Sequence, residues 1–394
     1  MALPKSSETK KVNLDFNKEF INTFTQNIER GNVEFVNQTL KDLHEADVAN
    51  LIENLTSDTR TKLIEIESFN IDPEIFIELN ESIQSEVLQL LSIESLIKII
   101  KRLESDNAIK ILENLSKETK EKVLEKLPPK DKFLLQEGLS YPEDSAARIM
   151  QREFTAVPSN WTVGQTIDYL REDKDLPEEF LEIFIVDNDF KPIGTVPSSR
   201  VLRTSRDLKM SSIMREMPVL ISVNMDKEEV GLTFENYNLV SAGVVNKENK
   251  LVGMITADDV VTVVQEEAEE DALRLAGVGD EEITDSVMLK TKRRFNWLLL
   301  NLFTALLATW VISFFGASIE QMVALAFLMP IVASMGGNAG MQTLAVTIRA
   351  IATKELSKSN FNRVVGKEFL IGILNGIIFA IITAIIVQLW FKEL

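Results

Sequence analysis

Met329-Pro330-Ile331-Val332-Ala333-Ser334-Met335-Gly336-Gly337-Asn338-Ala339-Gly340-Met341-Gln342 lies inside a stretch that carries no charge from Gln321 to Ile348. That stretch is long enough to cross a bilayer, yet Pro330, Gly336, Gly337, Asn338, Gly340 and Gln342 interrupt its apolar run. Carbonyls released by Pro or Gly, and an amide such as Asn338, need partners in a neighbouring helix or a wet cavity, because lipid offers none. Two readings stay open: a small-residue face where membrane helices pack closely, or the lining of a polar path.

Two further uncharged stretches flank it, Phe295 to Ile319 and Phe369 to Phe391, each long enough to span at about 1.5 Å rise per residue. Residues 290–394 are therefore expected to form an α-helical transmembrane domain with three spans. Lys290, Lys292, Arg293 and Arg294 precede the first span, and Arg349, Lys354, Lys358, Arg363 and Lys367 lie between the second and third. Both clusters should face the cytoplasm. The expectation is a multi-pass protein of the plasma membrane with its N-terminal domains cytoplasmic. Trp297 and Trp390 stand near span ends as interfacial anchors.

Charge divides the chain as hydropathy does. From Lys290 onward there are 10 Lys+Arg and 4 acids, so of the whole-chain 42 and 60, residues 1–289 keep 32 and 56, a net of −24. Such a body concentrates cations, so a divalent metal suits it as partner and nucleic acid does not; plain solubility is the alternative. Without cysteine and with His44 as the single histidine, thiolate chemistry is excluded and metal must be held through oxygen, which suits Mg²⁺ or Ca²⁺ rather than zinc or copper. Met1 to Lys11 is short and polar, with no apolar run of signal-peptide type, and residues 1–13 are expected to be disordered.

Residues 14–139 show apolar positions at helical spacing, as in Ile93, Leu96, Ile97, Ile100 and Leu103. Within them Leu43-His44-Glu45-Ala46-Asp47-Val48-Ala49-Asn50-Leu51-Ile52-Glu53-Asn54-Leu55 recurs 60 residues later as Leu103-Glu104-Ser105-Asp106-Asn107-Ala108-Ile109-Lys110-Ile111-Leu112-Glu113-Asn114-Leu115. Thr56 and Ser116 follow as N-caps of a second helix in each copy. Stacked helical pairs, a small superhelix, explain this pattern. His44, at a helix start, suits a capping or solvated role.

From about Arg148 short β-branched runs alternate with helices. Ile183-Phe184-Ile185-Val186-Asp187 and Val244-Val245-Asn246 read as strands, each followed by a turn and a partner, Lys191 to Gly194 and Lys250 to Gly253. This second duplication predicts two modules packed as a pseudo-dimer. They resemble a tandem pair of CBS domains, over 140–259, with the first copy at about 148–205 and the second at about 208–259. Gly253-Met254-Ile255-Thr256-Ala257-Asp258-Asp259 fits that family's Gly-x-x-Thr-x-x-Asp nucleotide signature, which implies Gly253, Thr256 and Asp259 as a site for ATP or another adenine nucleotide. The first copy departs from it, with Pro197 for Thr and Arg200 for Asp.

Nearly the whole chain resembles the MgtE family of magnesium transporters. The helical repeats carry the likeness, as do Ser140-Tyr141-Pro142-Glu143-Asp144, the acidic linking helix Val260–Ala276, Trp297 to Leu302, and Pro330 through Gln342 as the pore-helix motif. The linking (plug) helix and its connector occupy 260–289. The resemblance implies a multidomain α + α/β + membrane protein that is not an enzyme. It also implies a homodimeric, channel-like Mg²⁺ transporter whose acidic cytosolic faces are drawn together by bound Mg²⁺, so that the linking helix blocks the pore.

Asp106, Asp259, Glu266, Glu267, Glu269, Glu270 and Asp271 are the expected members of that regulatory cluster; for each, a solvated helix face is the other reading. Family members have five membrane helices, with a pore carboxylate on the last. Here three spans without an Asp or Glu precede Leu394, so the 394-residue chain alone is expected to move little Mg²⁺. The alternatives are a membrane-tethered Mg²⁺- or nucleotide-sensing regulatory subunit and an acidic scaffold for a protein partner.

Overall fold

The structure, a computed structural model, describes residues 16, 18–66, 72–174, 176–177, 180–217, 219–278, 287–322, 324–356 and 358–391. The expected disordered terminus, residues 1–13, and the connector residues 279–286 lie outside them. The chain divides into two units after Glu266.

In the first unit, ten short helices run from Lys18 to Ser140: α1 (Lys18–Glu29), α2 (Val33–Asp42), α3 (Glu45–Glu53), α4 (Ser57–Glu65), α5 (Pro73–Ile77), α6 (Glu81–Leu90), α7 (Ile93–Ile100), α8 (Ser105–Glu113), α9 (Lys117–Lys126) and α10 (Pro129–Ser140). The 60-residue repeat maps helix start onto helix start, α3 and α4 onto α8 and α9. The expected caps form: Thr56 Oγ1 accepts from Thr59 N at 3.4 Å and Ser116 Oγ from Thr119 N at 3.3 Å. His44 caps α3, its Nδ1 accepting from Ala46 N at 3.3 Å. Each satisfies a donor that the first helical turn leaves without an internal partner. The apolar stripes meet in one core that includes Leu51, Leu63, Leu96, Ile111 and Leu112.

The next segment holds β1 (Ala156–Pro158), α11 (Val163–Glu172), β2 (Glu182–Val186), β3 (Pro192–Pro197), α12 (Ser198–Leu202), α13 (Met210–Ile213), β4 (Ile221–Ser222), α14 (Lys227–Tyr237), β5 (Ser241–Val245) and β6 (Leu251–Thr256). They form two three-stranded sheets, β1-β2-β3 and β4-β5-β6, each with a parallel first pair and an antiparallel second. The duplication reaches the turns. Asp187 Oδ1 accepts from Asp189 N and Lys191 N, as Asn246 Oδ1 accepts from Glu248 N and Lys250 N. Phe184, Val186, Leu251 and Met254 pack together as the seam between the copies.

Gly194 and Gly253 occupy equivalent places where a neighbouring segment crosses at backbone distance. A Cβ on Gly253 would stand 2.8 Å from Gln151 O, and one on Gly194 2.6 Å from Arg215 O. The glycine of the nucleotide signature is thus required by packing.

Helix α15 (Ala257–Leu275) leaves β6 directly and starts three residues before the expected linking helix. Gly277, at φ +68°, closes it in the left-handed conformation, and any side chain there would collide with the Trp297 ring. The second unit continues with α16 (Val287–Ser313), α17 (Gly316–Gln321), α18 (Ala324–Ala352) and α19 (Phe361–Phe391).

Two described helices, 287–313 and 361–389, are long and apolar enough to cross a membrane. Three expectations change here. The stretch Phe295 to Ile319 is one long helix ending at Ser313 and then a short one, because the chain turns at Phe314 and Phe315. The motif Met329 to Gln342 does not break its helix: α18 is continuous, with Pro330 inside it. The last helix begins at Phe361, eight residues before the expected span, and so includes Glu368. The side chain of Trp390 lies outside the description.

Gly253→Ala should destabilise the soluble portion by about 1–3 kcal/mol, since the backbone carbonyl it meets yields less readily than a flexible side chain. Gly31→Ala, where φ is +67° but space is open, should cost about 1–2 kcal/mol through backbone strain alone. Urea midpoints of the two variants of residues 1–278 provide the measurement, and an unchanged midpoint in Gly253→Ala would contradict the packing argument.

Candidate functional site

Where the helical repeats meet the second CBS copy, a cleft of about 620 Å³ is lined by ten carboxylates (Glu74, Glu78, Glu81, Asp106, Glu113, Glu143, Asp144, Asp258, Asp259 and Glu266) and three cations (Lys110, Arg148 and Lys227). Three of the expected residues come together there: Asp106, Asp259 and Glu266. Asp106 stands in the first turn of α8 and Asp259 in the first turn of α15, where the helix dipole favours negative charge. Glu266, two turns further along α15, pairs with Lys110 at 2.8 Å. Glu267, Glu269, Glu270 and Asp271 continue along α15 and do not line the cleft; Glu270 pairs with Arg274.

Asp106 is only 7% exposed, and its Oδ1 has no hydrogen-bond partner. Its carboxyl lies beside that of Asp259. Asp259 Oδ2 also accepts from Thr256 Oγ1 at 2.5 Å and from Gln151 Nε2 at 3.2 Å. The same Gln151 nitrogen donates to Glu104 Oε2 at 2.7 Å.

Burial first, and the Asp259 charge second, push the Asp106 carboxyl well above the usual range. Burial raises Asp259 too, with Asp258 adding to it against the lowering bond from Thr256. Glu104 rises to about 7, from burial and then from Asp259 and Glu153. Glu74 is raised by burial and by Asp72 and Glu78.

Glu104 is the residue that the repeat pattern alone misses. It replaces the capping His44 of the first copy, but its side chain caps nothing. Instead Glu153, from the segment leading into the first CBS copy, accepts from Ser105 N at 3.1 Å and Ser105 Oγ at 2.9 Å. With capping supplied from outside the repeat, Glu104 is left to face Asp259. The one sequence signal is the acid standing where the first copy has its histidine cap.

A hard cation suits these residues, because it would supply the positive charge that a buried, unpartnered oxygen and its raised neighbours lack. Among the described residues no three carboxylates, as placed, enclose a metal unaided. The fit is to a cation that keeps part of its water shell, as Mg²⁺ does.

In the second unit, a groove of about 1050 Å³ runs between α18 and α19. Of the expected pore residues, Gly336, Asn338 and Gln342 line it, while Pro330, Gly337 and Gly340 do not. Among the described residues, a Cβ on Gly336, Gly337 or Gly340 would meet nothing within 4 Å. Asn375, Thr383 and Gln388 of α19, single polar residues in an apolar run, line the facing wall.

Known proteins share this arrangement. Family profiles match in order: the MgtE intracellular N domain over 43–144, the CBS domain over 146–207 and 210–266, and a divalent cation transporter over 329–394. The order of these matched domains is that of MgtE magnesium transporters, which this chain resembles. The magnesium transporter MgtE of Bacillus subtilis is 31% identical over 253 residues, 64% of this chain and 56% of the relative. The namesake from Enterococcus faecalis is 28% identical over 256 residues, 65% of this chain and 56% of the relative.

This chain thus spans about half the length of the curated relatives it matches. Two solved structures share the cytosolic fold of the family. A cytosolic domain of the Mg²⁺ channel MgtE in complex with ATP matches at TM-score 0.57 and 24% identity, over 62% of this chain and 99% of that one. The soluble part of a magnesium transporter matches at 0.55 and 22%, over 64% and 99%.

The raised carboxyls set a pH dependence for this fold. Ordinary carboxylates lose their protons near pH 4, whereas the folded protein keeps them on Glu104, Asp106 and Asp259 to higher pH. This stability is full below about pH 4 and is lost as pH climbs through about 7, the folded value of Glu104. Metal-free melts of residues 1–278 should therefore weaken between pH 5 and 8 at constant ionic strength. Asp106→Asn should flatten that slope and raise the midpoint at pH 8 by about 2–4 °C, the shift that about 1 kcal/mol produces in a domain of this size.

Proposed function

We propose that this chain is a subunit of a membrane Mg²⁺ pathway, channel-like and homodimeric, whose conduction is set by Mg²⁺ bound in the acidic cleft. The observation that carries this reading is the buried, unpartnered Asp106 Oδ1 facing Asp259 among ten carboxylates and three cations. Without a divalent cation the like charges of α8 and α15 repel, and the first turn of α15 loosens from the helical repeats. With one bound between them, the two helices are held together, and α15 carries that constraint towards the membrane unit. Glu267, Glu269, Glu270 and Asp271 extend the acidic face for further ions. The names of the relatives and the polar residues of the groove support Mg²⁺ as the transported ion. The basic clusters beside α16, α18 and α19 support a plasma-membrane setting with the N-terminal domains in the cytoplasm.

Arg274 lies at the end of α15 and is exposed. Millimolar Mg²⁺, the range of weak oxygen-ligand sites, should slow tryptic cleavage after Arg274 in wild type and not in Asp106→Asn with Asp259→Asn. Identical digestion with and without Mg²⁺ would remove the sensor. Mg²⁺ uptake into liposomes holding the full chain tests transport directly. Uptake no greater than in protein-free vesicles, with Mg²⁺ protection intact, would favour a sensing subunit without transport of its own.

An adenine nucleotide at Gly253, Thr256 and Asp259 is a second reading, favoured by the ATP held in a structural relative. Here Thr256 and Asp259 already bond each other, so a ribose would have to replace that bond. Calorimetry of residues 1–278 with ATP provides the measurement. Asp259→Ala should weaken binding by about 1–3 kcal/mol, and unchanged affinity would move the nucleotide elsewhere.

A further inference from the structure

On the two helices that flank the membrane groove, one residue is acidic: Glu368. It sits seven residues into α19, roughly 10 Å from the start of that helix at Phe361. Its Oε2 accepts a hydrogen bond of 3.2 Å from Thr343 Oγ1 on α18, and the pair is partly buried. Thr343 directly follows Gln342, the last groove residue of α18. Glu368 lies one helical turn before Gly372, the first groove residue of α19, on the same face as Gly372, Asn375 and Phe379.

The carboxylate therefore stands just beyond the last lining residues of both helices, Gln342 and Gly372, at the side of the basic connection between α18 and α19. A charge kept in this setting, rather than among the water-exposed residues a few positions earlier, points to ion handling. Thr343 takes up one of its oxygens and leaves further lone pairs for a cation or its water. The amides of Asn338, Gln342 and Asn375 line the groove beyond it and can hydrogen-bond a hydration shell.

We infer that Glu368 is the anionic anchor at the mouth of the α18–α19 groove, holding a partly hydrated divalent cation against the repulsion of Arg349, Arg363 and Lys367. Mg²⁺ is commonly held by one or two carboxylates with several waters retained, so one carboxylate beside a row of amides is a sufficient first contact. Thr343 is a positioning residue, fixing the carboxylate towards α18. The inference rests on the transport reading for its consequence, but its own claim is binding at one named group.

Because the chain has no cysteine, Leu370→Cys, an exposed position, accepts a single nitroxide label in the full chain in lipid nanodiscs. Mn²⁺, a paramagnetic substitute for Mg²⁺, should broaden the label's spectrum at low millimolar concentration, with Mg²⁺ competing. Glu368→Gln should abolish the broadening, Glu368→Asp should retain most of it, and Thr343→Val should weaken it. In parallel, liposome Mg²⁺ uptake should fall about tenfold or more in Glu368→Gln, a loss of about 1.4 kcal/mol in transition-state stabilisation.

Broadening that is absent in wild type, or unchanged in Glu368→Gln, overturns the inference even if uptake is robust. Glu368-dependent broadening without uptake upholds the site and sinks the transport reading instead. The circular dichroism of each variant in nanodiscs, matching wild type, establishes that the helices are intact.

Discussion

The approach of Asp106 to Asp259 governs the first unit. Two carboxyls meet there at the first turns of two helices, one from the helical repeats and one continuing the second CBS copy, with Glu104 beside them. Both helix starts favour negative charge, yet placing the groups together in a partly buried site raises all three towards protonation. The interface is thus closest to neutral when protons or cations are supplied and most repulsive when neither is. Bonds from Thr256 and Gln151 hold the carboxyls in place, so the repulsion cannot be relieved by side chains swinging into water. It falls on the packing between α8 and α15.

That arrangement grows out of an imperfect duplication. The first helical copy caps α3 with His44 and remains self-contained. The second gives up its own cap, takes one from Glu153, and so ties α8 to the segment entering the first CBS copy. Buried Arg152, the residue before Glu153, pairs with Glu137 of α10 at 2.7 Å and strengthens the same junction. One anchored side and one repulsive side give the interface a fixed edge and an edge that responds to charge.

The membrane unit follows the opposite logic. Among the described residues, nothing lies within 4 Å of where a Cβ would stand on the glycines of α18 and α19, and the groove beside them is furnished with amides and a threonine, with a carboxylate just beyond one end. Continuous helix through Pro330 and the glycines keeps the backbone bonded to itself, as lipid requires, so the polar character of the groove comes from side chains and not from released carbonyls.

Periodicity and local chemistry were legible in the sequence. The 60-residue repeat, the caps at Thr56 and Ser116, the apolar stretches and the acidic-to-basic division all depend on residues close in the chain, whose spacing alone constrains them. Tertiary structure decided which acids meet. Asp106 and Asp259 are 153 positions apart, and Glu104 joins them only because Glu153 frees it. Structure also moved the start of the last helix to Phe361, which no hydropathy boundary marks, since a helix continues through polar residues until its backbone bonds stop. Glu368, one residue before the uncharged stretch from Phe369, belongs to the last helix for that reason and stands just beyond the groove. Its neighbour Thr343 lies on another helix, and side-chain meetings of that kind are set by packing, which a linear pattern does not encode.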